Sequence, residues 1–143
     1  MIARAQPGDP RRPEADLWLA RALPGAGWLA SNEVTKPHGC VLFALDAGGA
    51  VIGALIAWIV VDEAHLLAVG VDTARRRGGA GGALVHALGA HARERGCTKM
   101  LLEVSAANTA ALALYRRVGF EVVNTRAGYY ADGSDGVEMC WTW

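Results

Sequence analysis

At 143 residues with 52% hydrophobic content, the chain has the size of one ordinary domain and enough apolar side chains for a core without disulfides or structural metal. Fourteen Lys+Arg balance fourteen Asp+Glu, which removes the excess positive charge that non-specific nucleic-acid or anionic-membrane binding draws on. Three cysteines, Cys40, Cys97 and Cys140, stand far apart among apolar neighbours without a C-x-x-C, so buried free thiols in a reducing compartment, the cytoplasm, are expected.

The first residues, MIARAQPGDPRRPEADLW, lack the apolar segment of a secretory signal. The longest apolar stretch, Val51–Val61, is far short of the roughly 20 residues of a membrane span. Over 9–23, Asp9 and Pro10 or Pro13 are helix-start signals, and Leu17, Ala20 and Leu23 fall at near-helical spacing before Pro24. This predicts a short first helix. Residues 24–39 mix turn formers with Trp28 and Leu29, and one or two further helical turns fit Trp28–Val34.

The β-rich runs 40–46 and 51–61 flank Ala47-Gly48-Gly49-Ala50, which reads as a hairpin. Asp62-Glu63 makes a tight connection into Ala64–Val71, so three antiparallel strands precede the basic, glycine-rich turn Arg75–Gly82. Gly70, inside an apolar run, signals a bulge or a close backbone approach. Beyond the turn, Ala80, Leu84, Val85, Leu88 and Ala92 share one helical face, and Arg93, Glu94 and Arg95 precede the stop residue Gly96. Lys99–Val104 is then a strand, parallel to 66–71 through a right-handed crossover. Asn108 caps a second helix over 109–119, whose Ala111, Leu112, Tyr115 and Val118 share a face and whose Gly119 ends it. Phe120–Thr125 and Val137–Trp143 form a last strand pair around the polar loop 126–136. The expected class is α/β: a single domain over 1–143 with a mixed, mostly antiparallel sheet and one central βαβ unit.

A strand running into arginines, glycines and a helix start points backbone N–H groups at an anion. A P-loop needs Lys-Ser/Thr after its last glycine, but Ala83-Leu84 follows Gly82. A dinucleotide fingerprint needs a third small residue where Leu84 stands, although Glu103 lies at the spacing of a ribose-binding acid. Arg76-Arg77-Gly78-Gly79-Ala80-Gly81 instead matches [Q/R]-x-x-G-x-[G/A]. Together with LLEV…N…ALALYRRVGF, over residues 40–143, it resembles the GCN5-related N-acetyltransferase superfamily, whose cosubstrate is acetyl-CoA.

The resemblance implies that Arg76, Arg77, Gly78, Gly79, Ala80, Gly81 and Gly82 cradle the pyrophosphate. It places the backbone of Val69 and Val71 along the pantetheine arm, with Asn108 and Tyr115 also touching the cosubstrate. The strand carrying Gly70 splays from its parallel neighbour in this superfamily. LLEVSAAN, ALALY and GFEVV, with Tyr129-Tyr130 later, are similar to the ribosomal-protein alanine N-acetyltransferases, which implies Glu103 as base, Tyr115 as acid, and Tyr129 and Tyr130 at the acceptor entrance. Acyl transfer needs such a pair, because the amine must lose a proton and the departing thiolate must be stabilised.

On the residues alone, Glu103 also fits a solvated strand end, Tyr115 a core position and Asn108 a plain cap. The preferred acceptor is a protein or peptide N-terminus, with a ribosomal-protein alanine as candidate. A small-molecule amine is the alternative acceptor, and a nucleotide- or CoA-binding module the non-enzymatic one. Residues 1–39 match the family pattern poorly and are assigned to the acceptor side. His38, His65, His86 and His91 show no metal-ligand spacing, and the five tryptophans lack the basic stripe of a base-stacking platform. No metal, nucleic acid or membrane is expected.

Overall fold

The computed structural model describes residues 1–11, 13–17, 36–72, 74 and 79–143. Its strands are β1 (Ile2–Arg4), β2 (Gly39–Leu45), β3 (Val51–Val60), β4 (Glu63–Val71), β5 (Lys99–Ser105), β6 (Glu121–Arg126) and β7 (Gly136–Thr142). Helix α1 (Ala80–Glu94) links β4 to β5, and α2 (Thr109–Val118) follows β5. One seven-stranded sheet runs β1-β2-β3-β4-β5-β7-β6. Every neighbouring pair is antiparallel except β4 and β5.

The β2–β3 turn is closed by Asp46, whose Oδ1 accepts from the N–H groups of Gly48 and Ala50, each at 2.9 Å. The β3–β4 turn is tighter. It holds Val61 at φ 55°, a conformation that crowds a β-branched side chain.

The sheet separates two apolar layers. Cys40, Leu42, Leu55, Ala64, Leu66, Met100, Leu102, Val104 and Met139 pack with Leu84, Val85 and Leu88 of α1 and with Leu112 and Tyr115 of α2. On the opposite face Val41, Phe43, Ile56 and Ala68 pack with Ala5 and Ala15 of the N-terminal segment. Alternation along a strand would keep Ala64, Leu66 and Ala68 on one face. The β3–β4 register jumps from Ala57↔Leu66 to Ile56↔Ala68, so Leu67 is an extra residue and the alternation inverts after it. Val69 and Val71 thereby join the helix-side layer, while Ala68 turns to the other.

That bulge stands three residues before Gly70, which pairs in register with Ala54. The close approach the sequence allowed there belongs to the neighbouring strand: a Cβ on Gly53 would lie 3.0 Å from the Gly70 carbonyl oxygen. Strand β1 was not expected, because three residues carry no period. It exists because β2 offers an edge to Ile2–Arg4. Residues 13–17 are helical. Their core contact is Ala15, fully buried, whereas Leu17 is 49% exposed, since a small side chain allows closer approach to the strands. Ala20, Leu23 and the proposed turns at Trp28–Val34 lie outside the described residues.

The thiols Cys40 and Cys97 are free and buried, but Cys140 is only half-buried. It stands opposite Leu101, on the sheet face away from α1. Burial pushes the Cys40 thiol up to about 11.

Candidate acyl-transfer site

The β4–β5 ladder pairs Glu63–Leu66 with Lys99–Leu102 and goes no further. Beyond Leu66 and Leu102 the parallel strands part, although β4 continues to Val71 and β5 to Ser105. Backbone groups of Val69 and Val71 therefore border an opening on the β5 side, where the loss of ladder partners calls for others.

Helix α1 begins at the end of β4. Gly79, at φ 79°, is its N-cap and provides no side-chain cap; the first turn holds no acidic residue. The Ala83 N–H donates to the Gly79 carbonyl at 2.9 Å, leaving the N–H groups of Ala80, Gly81 and Gly82 outside the helical bonding pattern. Such an end carries partial positive charge and suits an anion. A Cβ on Gly81 would stand 3.3 Å from Leu114 Cδ2 and 3.6 Å from Val71 Cγ2, so this glycine lets the helix start lie against both α2 and the end of β4. Arg76, Arg77 and Gly78 lie outside the described residues.

Glu103 follows Leu102 and precedes Val104, both of which face α1 and α2. It therefore points from the opposite face of β5, the face that also receives the described part of the N-terminal segment. Its side chain is 32% exposed, and Oε1 lies 3.6 Å from Arg126 Nη1. Tyr115 sits on the helix side, 7% exposed, with its ring edge-on to Phe120 at 5.7 Å. Burial pushes its hydroxyl up to about 12, so it is protonated at neutral pH. The two proposed proton-transfer groups thus flank β5 from opposite faces. Asn108 caps α2, its Oδ1 accepting from the Ala111 N–H at 3.2 Å.

The loop between β6 and β7 is tied to the β5–α2 connection. The hydroxyls of Ser105 and Ser134 are 2.7 Å apart, and the Ala106 N–H donates to the Asp135 carbonyl at 2.9 Å. Within the loop, the Ser134 hydroxyl donates to Asp132 at 2.6 Å and the Gly128 N–H donates to Asp135 Oδ1 at 2.9 Å. Tyr129 and Tyr130 meet edge to face at 5.1 Å. A Cβ on Gly136 would lie 3.0–3.1 Å from Tyr129, so glycine is needed for the ring to lie there. Burial and the adjacent Glu103 charge push the Tyr130 hydroxyl up.

Tyr130 therefore lies close enough to Glu103 to feel its charge. Arg126, which also stacks over Tyr129 at 5.4 Å, was not singled out. Its position six residues after Phe120 on an exposed strand gave no periodic signal; only the pairing of β6 with β7, itself paired with β5, brings its side chain within reach of β5.

The chain matches the acetyltransferase (GNAT) family over residues 5–120. It is 38% identical over 96 residues to a [ribosomal protein bS18]-alanine N-acetyltransferase of Escherichia coli strain K12, covering 67% of this chain and 64% of the relative's own length. It is 32% identical over 143 residues to a mycothiol acetyltransferase of Saccharomonospora viridis, covering 92% of this chain and 44% of that protein. The crystal structure of the Escherichia coli ribosomal-protein-S18-alanine N-acetyltransferase superposes with a TM-score of 0.79 at 28% identity, covering 99% of this chain and 94% of the other. The mixed sheet, its parted parallel strands and the sequence matches agree: this chain belongs to the acetyltransferase (GNAT) family.

Proposed function

We propose that the chain is an acetyl-CoA-dependent N-acetyltransferase acting on the N-terminal amine of a protein or peptide. The observation that carries this reading is the opening beyond Leu66 and Leu102, flanked by Glu103 and Tyr115 on opposite faces of β5 and closed at one end by the uncapped start of α1. Acetyl-CoA, when bound, supplies an activated acyl group as a thioester. Gly79, Ala80, Gly81 and Gly82, with Arg76, Arg77 and Gly78, hold its pyrophosphate through backbone N–H groups and guanidinium charge. Val69 and Val71 offer backbone partners to the pantetheine arm, and Asn108 contacts the cosubstrate as well.

Glu103 accepts the proton that the amine loses as its nitrogen bonds to the acyl carbon. Tyr115 donates a hydrogen bond to the sulfur as the C–S bond breaks and the electron pair stays with the thiolate. Neither residue bonds covalently to the acyl group. Tyr129 and Tyr130 line the acceptor entrance beside Glu103.

The acceptor class rests on the relative that acts on ribosomal-protein bS18 alanine. An alternative acceptor, a small-molecule amine, is favoured by the mycothiol acetyltransferase that matches 92% of this chain. CoA release from acetyl-CoA is measured against peptides differing in the first residue, alongside polyamines and aminoglycosides. Turnover highest with an N-terminal alanine peptide supports the proposal. Turnover restricted to small amines moves the acceptor class, and binding without turnover on any amine removes the enzymatic reading.

A further inference from the structure

We propose that Arg126 is a positioning residue that holds the Glu103 carboxylate at the acceptor face against repulsion from Glu138; this rests on Glu103 being the base. Glu103 and Glu138 are Cα partners across β5 and β7, so their side chains leave the same face side by side. Like charges in that relation repel. Strand β6 supplies a restraint for each. Arg126 Nη1 lies 3.6 Å from Glu103 Oε1, and Asn124 Nδ2 donates to Glu138 Oε2 at 3.5 Å.

The two restraining residues stand two apart on β6, so the pleat puts them on one face. Arg126 is itself directed by the ring of Tyr129 beneath its guanidinium. The other groups around Glu103 do not compete for this role among the described residues. His65, on the neighbouring β4, is paired with Glu63 at 3.2 Å, Lys99 binds the same Glu63 at 3.2 Å, and Tyr130 is a neutral phenol.

With side chains 48% and 32% exposed, the Arg126–Glu103 pair contributes little to fold stability. Its consequence is orientation. Without Arg126, repulsion from Glu138 on β7 is unopposed, and the carboxylate shifts across β5 toward β4, away from the β6–β7 side that carries Tyr129 and Tyr130. Misplacement of a reacting group by about 1 Å costs up to about 100-fold in rate.

The test uses the full chain with acetyl-CoA and a peptide bearing N-terminal alanine, comparing Arg126→Ala, Arg126→Lys, Glu138→Gln, the Arg126→Ala/Glu138→Gln pair and Glu103→Gln. Expected for Arg126→Ala is a kcat about 10- to 100-fold lower, with unchanged KM for acetyl-CoA and unchanged melting temperature. Lysine restores most of the loss, and Glu138→Gln, silent alone, restores activity in the Arg126→Ala background. Unchanged kcat in Arg126→Ala, no rescue by Glu138→Gln, or a rise confined to the peptide KM overturns the proposal.

Glu103→Gln separates the two layers. If it is inactive while Arg126→Ala is normal, only the positioning role fails; if it retains full activity, base and positioning role fall together. Crystal structures of the Arg126→Ala chain give a readout independent of any acceptor. A Glu103 carboxylate displaced from β7 toward β4 supports the proposal, and one in its original place overturns it.

Discussion

Removing one oxygen atom, by Tyr115→Phe, probes both the chemistry and the burial of the helix-side residue. The Tyr115 hydroxyl is raised from 10.0 to about 12 by desolvation. A folded-state pKa above the unfolded value means that the unfolded chain releases this proton first as pH rises. The associated stability is fully present below pH 10 and is lost between about pH 10 and pH 12. Two units correspond to roughly 3 kcal/mol. Urea denaturation at pH 8, 10, 11 and 12 should show the parent chain losing about that much more stability than Tyr115→Phe over the window. Cys40, raised to about 11, titrates in both proteins and cancels in the difference.

The same shift limits the chemistry. A free thiol has a pKa of about 8.5, so full transfer from a phenol near 12 to a free thiolate is uphill by about 5 kcal/mol. In the proposed reaction Tyr115 therefore acts through a hydrogen bond to charge developing on sulfur. Loss of a donor of that kind costs roughly 100- to 1,000-fold in kcat, with little change in KM for acetyl-CoA. Turnover of Tyr115→Phe within twofold of the parent would refute the role, and superimposable alkaline curves would refute the burial argument.

Two further substitutions test how the site's supports are packed. Gly89→Ala would place a Cβ 2.8 Å from Trp141 Cζ3 and 3.0 Å from Cη2. The indole cannot retreat, because a Cβ on Gly119 would already be 3.0 Å from its Nε1 and Arg93 lies over the ring at 5.4 Å. Overpacking of about 1–3 kcal/mol outweighs the roughly 1 kcal/mol that alanine gains over glycine in a helix. The melting temperature should fall by several degrees, and the sign should reverse in a Trp141→Leu background; a stabilised single variant would contradict this. Val61→Asn should stabilise by about 1 kcal/mol, since Val61 holds φ 55° while 87% exposed and asparagine tolerates that conformation. An unchanged or lower urea midpoint counts against the strain reading.

The hairpin, the βαβ unit and both long helices were legible because their signals are local: glycine turns, a 3.6-residue period, and caps at Asn108 and Gly119. Glu103 and Tyr115 could be named from motif spacing, but their placement on opposite faces of β5 depends on alternation along a single strand. What escaped the sequence was set between distant segments. Strand β1 depends on an edge more than 35 residues away in the chain. The bulge at Leu67 shows only in the register against β3, because an apolar run reads alike with or without an extra residue. Arg126 reaches Glu103 through the pairing order β5-β7-β6, which places the last strand in the middle.

The four residue pairs that join β4 to β5 also set the mechanics of the molecule. They form a narrow seam between two plates, β1 to β4 and β5 to β7, with α1 as a strap across one face. Force applied at the parted ends has leverage over that seam, so the opening is the compliant part of a stiff sheet. A molecule bonding to both strand edges works as a missing strand: it lengthens the seam and turns two hinged plates into one continuous slab.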